Sequence, residues 1–157
     1  MAIRAKVISS AKLKRRLRVF VPDAEKEMDT AKLTSMADVA AKIAARAPYK
    51  TGEYHDSIEA GLVSANPAAR KRPGYRKPKD GNAVGIFGNF IWRFLEFGTA
   101  PHVNGGMFEG SEHPGTNAKP HVFPTWRANR NAVKKAVRQG LNKAVKKSNA
   151  GRKARNG

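Results

Sequence analysis

The sequence predicts an α+β fold: a small antiparallel sheet flanked by a long helix in the N-terminal half and by a C-terminal helix, with long basic loops. Two amphipathic stretches predict the helices, and two short segments of strand-forming residues predict the sheet. Between them lies the most apolar stretch of the chain, residues 85–99, which reads GIFGNFIWRFLEFGT. We expect this stretch, with Trp92 and its phenylalanines, to form the buried centre of the domain.

The first helix is predicted from a stripe of apolar residues spaced three and four apart between Leu33 and Ala47. Pro22, followed by several acidic residues, is typical of a helical first turn, because proline lacks the N–H that is unpaired there. Pro48 predicts the end of the helix. Upstream of Pro22, residues 1–21 combine a strand-like start with a basic cluster, and we expect them to form a basic arm.

Residues 57–63 alternate loosely and predict a strand, and a second strand is predicted from Val84 onward. Residues 66–82 are rich in proline, glycine and basic side chains, so they predict a long exposed loop between the two strands. Contact with a polyanion or a neighbouring subunit is one interpretation of this loop, with Tyr75 as a stacking residue. A solvated hairpin tip is the other.

Residues 100–119 are rich in Gly, Pro, Asn and His and predict a second loop. A short extended segment from Pro120 is expected next, with the last helix beginning at Pro124 and Gly140 weakening it by about 1 kcal/mol relative to alanine. Residues 148–157 lack an apolar pattern and are expected to be disordered. The predicted organisation is therefore a single domain over residues 1–147 with a basic tail.

Charge is the strongest global signal in the composition. The 157 residues include 31 Lys and Arg against 12 Asp and Glu, a net charge of +19, and they include no cysteine. The charge predicts attraction to a polyanion or an acidic partner, although a solvated surface without a partner is the alternative. The candidate contact residues are Arg15, Arg16, Arg70, Lys71, Arg72, Arg76, Lys77, Lys134 and Lys135.

No catalytic constellation is apparent, so we predict no enzyme, no cofactor and no metal site. Three histidines, His102, His113 and His121, lie in one region with two glutamates nearby, but their spacing matches no zinc motif. Glu96 lies among apolar residues, where burial raises a carboxyl pKa. Without a marked partner for acid–base work, Glu96 is better interpreted as forming a salt bridge or capping the nearby Gly98–Thr99 backbone. We also expect no signal peptide and no membrane span, because no long apolar run occurs.

Three islands of sequence, taken in order, resemble a known family. The first is Ala-Pro-x-x-Thr-Gly followed by Ser-Ile, and the second is Val-Gly, then an aromatic residue, then Leu-Glu-Phe-Gly-Thr. The third is a Pro-aromatic-x-x-Pro anchor before the last helix, present here as Pro120, His121 and Pro124. Over residues 30–145 they resemble the tail-component, or tail-completion, family of long-tailed bacteriophages typified by gene product ten of phage HK-ninety-seven. His121 stands where this family commonly has phenylalanine. The residues that carry the resemblance are Ala47, Pro48, Thr51, Gly52, Ser57, Ile58, Val84, Gly85, Phe90, Leu95, Glu96, Phe97, Gly98, Thr99, Pro120 and Pro124.

The resemblance implies a structural virion protein without catalytic residues. It implies a homo-oligomeric ring, a hexamer, at the neck where the head connector meets the tail tube. The implied partners are connector or stopper proteins, tail-tube or terminator proteins, and the packaged DNA, with no membrane involved. The protein would be made in the host cytoplasm and end in the virion. The alternative is a basic nucleic-acid-binding protein that acts on DNA directly, and a hydrolase or metal enzyme built on the histidines ranks last.

Overall fold

The computed structural model describes residues 10–66, 78 and 81–153, with side chains described except at 10–19 and 151–153. Long helices are combined with two short antiparallel pairs of strands, which confirms the α+β class. In chain order the elements are α1 (Ser10–Ala44), α2 (Glu53–Asp56), β1 (Glu59–Leu62), β2 (Val84–Phe87), α3 (Trp92–Phe97), β3 (His102–Val103), β4 (Glu112–His113) and α4 (Val122–Lys153). Short 3₁₀ turns lie at Val63–Ala65 and Gly106–Phe108.

The chain divides into two compact units. Unit 1 comprises Met1–Lys32 and Lys134–Gly157, and unit 2 comprises Leu33–Val133. The long helices α1 and α4 therefore each contribute residues to both units. The boundary of a single domain at residue 147 stays a prediction.

Helix α1 begins earlier than expected. It starts at Ser10 and runs through Pro22, so the predicted start at Pro22 is wrong. Residues 11–18 are all Ala, Lys, Leu or Arg, which are among the best helix formers, and their propensity sustains the helix on the N-terminal side of the proline. The strand-like residues 3–8 lie outside the described residues.

In unit 1, α1 and α4 approach closely over small residues. Ala24 and Ala144 are buried. A Cβ atom added to Gly140 would lie 2.8 Å from the Glu27 carbonyl oxygen and 3.1 Å from the Ala31 Cβ. Gly140 therefore allows a close contact between helix backbones. This contact explains why glycine occurs within α4 despite its low helix propensity.

The core of unit 2 is built on α1 rather than on the aromatic stretch. Val39, Ala40 and Ile43 are the most buried residues of the helix within this unit. Beside them, β1 and β2 form an antiparallel pair in which Gly61 lies opposite Gly85. The predicted strands are thus confirmed. Most of the loop between them, residues 67–77 and 79–80, lies outside the described residues.

The expectation of a buried aromatic centre at residues 85–99 is wrong. Phe90, Phe94 and Phe97 are 68 %, 46 % and 63 % exposed, and Trp92 is half-buried. The helix α3 is short, and the core against which it packs is small, so only part of its surface is covered. The apolar character of this segment consequently marks a surface of the unit.

The C-terminal half contains more regular structure than its composition predicted. The expected loop at residues 100–119 contains the strand pair β3 and β4, in which His102 lies opposite His113. Helix α4 begins at Val122, so Pro124 lies inside its first turn rather than starting it, and the extended segment expected from Pro120 ends before residue 122. Helix α4 continues to Lys153, so residues 148–153 are helical rather than disordered, while 154–157 lie outside the described residues.

Candidate assembly surface

Glu96 is a buried carboxylate that caps the start of α4. Its side chain is 3 % exposed. Its Oε2 accepts hydrogen bonds from the N–H groups of His121 (2.7 Å) and Val122 (2.8 Å), and its Oε1 accepts one from Phe123 (3.0 Å). These are donors that a helix start leaves unpaired, and the positive end of the helix dipole favours a negative charge there. The sequence interpretation of Glu96 as a cap had the right role but the wrong target.

The capping bonds keep Glu96 ionised. Burial alone raises the pKa of Glu96, but the three backbone N–H donors outweigh it, and the pKa lies below its ordinary value of 4.5. A carboxylate whose pKa is lowered, and whose two oxygens both accept hydrogen bonds, is poorly suited to accept a proton at neutral pH. The structure therefore gives Glu96 the role of joining α3 to α4.

A second buried polar pair lies beside this cap. The Tyr54 hydroxyl and His121 Nε2 are 2.6 Å apart, and His121 Nδ1 lies 2.7 Å from the Lys119 carbonyl oxygen. Because a carbonyl oxygen only accepts hydrogen bonds, His121 Nδ1 carries the proton that it donates to Lys119. In the neutral ring, Nε2 then accepts a hydrogen bond from the Tyr54 hydroxyl. Burial, and secondarily the charge of Glu96, raise the pKa of Tyr54 to about 12. His121 thus satisfies a buried hydroxyl as well as packing against the Tyr54 ring.

The residues after Glu96 fix the next segment of chain. Gly98 has φ 73° and ψ −178°, a region that is almost restricted to glycine. A Cβ atom there would lie 2.5 Å from the Thr116 carbonyl oxygen. Thr99 and Thr116 pair through two backbone hydrogen bonds of 3.0 and 3.1 Å. The Glu-Phe-Gly-Thr sequence therefore holds both α4 and the segment that leads to it.

The first island is also structural. Gly52, at φ 88°, precedes α2, and an added Cβ would lie 3.1 Å from the Tyr49 hydroxyl. The Ser57 hydroxyl donates to the Tyr54 carbonyl (2.7 Å) and accepts from the Asn89 N–H (2.9 Å). Ser57 therefore joins the end of α2 to the chain after β2, while Thr51 is exposed.

An apolar groove opens on unit 2 next to these structural residues. It has a volume of about 380 Å³, and none of its lining residues is charged. Ile43 and Tyr54 are buried at its lining, whereas most of the other lining side chains are half-buried. We call this surface the apolar groove, and its main half-buried residues are Met36, Ile58, Ile86, Phe87, Trp92 and Trp126.

Exposed aromatic rings extend the groove outward. Trp92 and Phe123 line it, with ring centroids 6.3 Å apart. The Phe97 ring lies 6.4 Å from Trp92 and 5.9 Å from Phe123, and Phe97 remains 63 % exposed. Contiguous exposed apolar surface of this kind is typical of a site that another molecule covers.

A second exposed apolar feature lies at the end of the β3–β4 hairpin. Met107 is 94 % and Phe108 69 % exposed. The backbone around them is ordered by hydrogen bonds from Asn104 N–H to the Ser111 carbonyl (2.8 Å) and from Gly110 N–H to the Asn104 carbonyl (3.0 Å). We call Met107 and Phe108 the hairpin tip. The sequence analysis does not single it out, although an adjacent Met-Phe pair is an unusual element of a loop that is otherwise polar and rich in glycine.

The described part of the chain includes only four of the nine predicted basic contact residues. Lys134 and Lys135 are exposed on α4. Arg15 and Arg16 belong to α1, but their side chains are among those not described. The remaining candidates, Arg70, Lys71, Arg72, Arg76 and Lys77, lie outside the described residues. Their contact roles stay predictions.

Two of the four histidines form a stacked pair. His102 and His113 stack across β3 and β4 with ring centroids 4.9 Å apart. Within the described part of the chain, no group of three or more His, Asp or Glu residues is arranged to hold a metal ion. In the same part, no helix is both long enough and apolar enough to cross a membrane.

Comparison with known proteins gives a family. The family model HK97-gp10-like, described as "Bacteriophage HK97-gp10, putative tail-component", matches residues 11–98. Searches of curated proteins and of solved structures found no match. The matched range contains the Thr-Gly and Leu-Glu-Phe-Gly sequences whose structural roles are described above. Since the match spans more than half of the 157 residues, the chain belongs to the HK97-gp10-like family of bacteriophage tail components.

Proposed function

We propose that this protein is a structural subunit of the phage neck, where copies of it form a ring, a hexamer, that joins the head connector to the tail tube. Family membership supports the placement in the tail. The observation that carries the assembly role is the apolar groove with its exposed rings, Phe97 and Phe123. A free monomer gains nothing from this surface, whereas burial of aromatic surface dominates the energetics of many protein interfaces.

The apolar groove also lies on a rigid part of unit 2. Its lining residues Trp92 and Phe123 belong to the two helices that the Glu96 cap joins. The buried polar bonds thus hold the rings in fixed positions before any partner arrives. Pre-organisation of this kind lowers the entropy lost on association.

An assembly experiment tests the proposal. Heads and tails are purified from the phage that encodes the protein, grown without it, and the purified chain is then added. We expect joined, infectious particles, and imaging is expected to show the added protein at the junction. If heads and tails join equally well without it, or if it is found elsewhere in the particle, the proposed position is wrong.

A second candidate function, direct binding to DNA, is favoured by the net charge of +19 and by the exposed lysines of α4. Each lysine that neutralises a phosphate contributes about 0.9 to the slope of log affinity against log salt. If α4 contacts DNA, replacing Lys134 and Lys135 by alanine should reduce that slope by about 2. An unchanged slope would show that Lys134 and Lys135 do not contact DNA phosphates.

A further inference from the structure

We propose that the hairpin tip of one copy, Met107 and Phe108, inserts into the apolar groove of a second copy. The inference rests on the self-association that the proposed function requires, and it names the two surfaces that meet. Both belong to unit 2, yet the tip does not occupy the groove of its own chain, since its side chains are 94 % and 69 % exposed. A second copy can therefore cover both surfaces with one contact.

The sizes of the two features agree. A protein cavity of about 150 Å³ is enough to hold a benzene molecule. The groove, at about 380 Å³, thus has room for the Phe108 ring and the flexible thioether of Met107 together. Methionine adapts to irregular apolar surfaces and contacts aromatic rings favourably, and Trp92 and Trp126 provide such rings in the groove.

The hairpin is already ordered for this contact. Besides the backbone bonds across the tip, the Ser111 hydroxyl donates to the Phe108 carbonyl (2.7 Å) and accepts from the Asn104 side-chain amide (2.9 Å). The tip consequently loses little conformational freedom when a partner binds it, which favours association.

The charge of the hairpin also favours a second copy of the chain as its partner. The hairpin, residues 102–113, contains two of the 12 acidic residues, Glu109 and Glu112, and none of the 31 basic ones. The hairpin is therefore a locally acidic projection on a strongly basic chain, and another copy of the chain is a basic partner for it. Arg93 and Arg127 are exposed and adjacent in sequence to the groove residues Trp92 and Trp126, where they would meet Glu109.

This contact has a direction. The tip and the groove are different surfaces, so a pair of copies joined in this way leaves one free tip and one free groove. Such a heterologous contact repeats from copy to copy until a ring closes.

Paired cysteines test the contact directly, because the native chain has none. The double variant Met36→Cys with Met107→Cys places one thiol in the groove and one at the tip, and a short bismaleimide then links thiols that lie close together. We expect a ladder of covalent oligomers from this variant. Neither single variant should give a ladder. The control is Tyr49→Cys with Met107→Cys, since Tyr49 is 73 % exposed outside the groove, and it should stay monomeric on a denaturing gel.

Three results would overturn the inference. Cross-linking of the Met107→Cys single variant would indicate a tip-to-tip contact. A link within one chain of the double variant would indicate that the groove takes its own hairpin. The absence of links would show that the hairpin tip and the apolar groove do not contact each other. If rings were still imaged in that last case, the proposed function would stand and only this contact would fail.

An affinity measurement supplies a second test. Replacing Met107 and Phe108 by serine should weaken self-association at least about tenfold in sedimentation experiments, because such buried anchors carry much of the binding energy. The matched Tyr49→Ser variant should associate like the wild type. Equal association of all three proteins would contradict the proposal, and circular dichroism would verify that each variant is folded.

Discussion

At the scale of single residues, the most informative is Glu96, whose carboxylate satisfies three N–H groups at the start of α4. Replacing it by alanine would leave these donors without their acceptor, and we expect a loss of about 2–4 kcal/mol in the free energy of unfolding. Chemical denaturation measures this loss. Glu59→Ala, at an exposed carboxylate, is the control and should change stability by less than about 0.5 kcal/mol.

The same residue predicts how stability depends on acid. Because the folded state lowers the pKa of Glu96 below 4.5, the unfolded state binds more protons in that range. The contribution of Glu96 is therefore fully present above pH 4.5 and is lost as the pH falls through the folded-state pKa. Glu96→Gln should remove this part of the acid dependence. Parallel stability curves for wild type and variant below pH 4.5 would contradict the capping account.

Tyr54 predicts how the stability of the protein depends on alkaline pH. Its pKa of about 12, against an ordinary 10.0, means that the unfolded state loses the phenolic proton first, so stability falls as the pH rises from 10 towards 12. The chain has three tyrosines. In an absorbance titration, one of them should ionise near pH 12, and Tyr54→Phe should remove that step. Ionisation of all three near pH 10 would show that Tyr54 is accessible to water.

Gly98 combines an unusual backbone conformation with a lack of space. Gly98→Ala should destabilise the protein by about 2–4 kcal/mol, because the new methyl group would contact the Thr116 carbonyl at 2.5 Å in a conformation that alanine avoids. Gly105→Ala is the matched control, since an added Cβ there has no atom within 4 Å. Equal melting temperatures for the two variants would contradict this structure of the Gly-Thr segment.

At the scale of elements, the packing of α1 against α4 in unit 1 predicts how a substitution at Gly140 changes stability. Helix propensity favours a larger residue there, whereas the close contact between the helices opposes it. Alanine at Gly140 would favour the helix by about 1 kcal/mol, but its Cβ would lie 2.8 Å from the Glu27 carbonyl oxygen. Because that oxygen belongs to a helix backbone, we expect the steric cost to prevail and Gly140→Ala to lower the melting temperature. Gln139→Ala, on the exposed side of the same helix, should not lower it. A more stable Gly140→Ala protein would mean that the helices are farther apart.

Ion pairs reinforce this helix contact. Glu27 of α1 pairs with Lys143 (3.1 Å) and Lys147 of α4. Hydrogen bonds from Lys147 and Lys143 lower the pKa of Glu27. Two basic residues of α4 that are not among the predicted contact residues thus have an acidic partner within unit 1.

The elements show which features local sequence could predict. The strands β1 and β2 and the body of each long helix follow from short-range periodicity, so they were predictable. Pro22 led to a wrong helix start because a rule for one position ignores the helix-forming residues before it. Strands β3 and β4, of two residues each, are too short to show a pattern, and they depend on pairing with each other.

The site was predictable only in part, for a related reason. The importance of the Glu-Phe-Gly-Thr sequence was apparent, but the target of Glu96 lies 25 residues downstream, and no local pattern specifies it. The aromatic stretch was taken for core because apolar composition does not distinguish a buried centre from a surface that a partner covers. Only the exposed fractions of Phe90 and Phe97 made that distinction.

At the scale of the whole molecule, charge and apolar surface divide the chain into regions with different roles. Both ends of the chain carry an excess of basic residues, while the hairpin between α3 and α4 is acidic with an apolar tip. Net positive charge opposes contact between copies, so assembly requires local attraction of the kind that the hairpin and the groove provide. Such contacts are expected to tolerate salt, whereas contacts of the basic ends with an anionic partner should weaken in it.

We propose that this protein acts as one of several identical subunits in a phage tail. Native mass spectrometry of the purified chain measures this most directly, together with a count of its copies in purified particles. We predict one discrete closed oligomer of six chains, and six copies per particle. A protein that remains monomeric at every concentration and is absent from the particles would contradict the account.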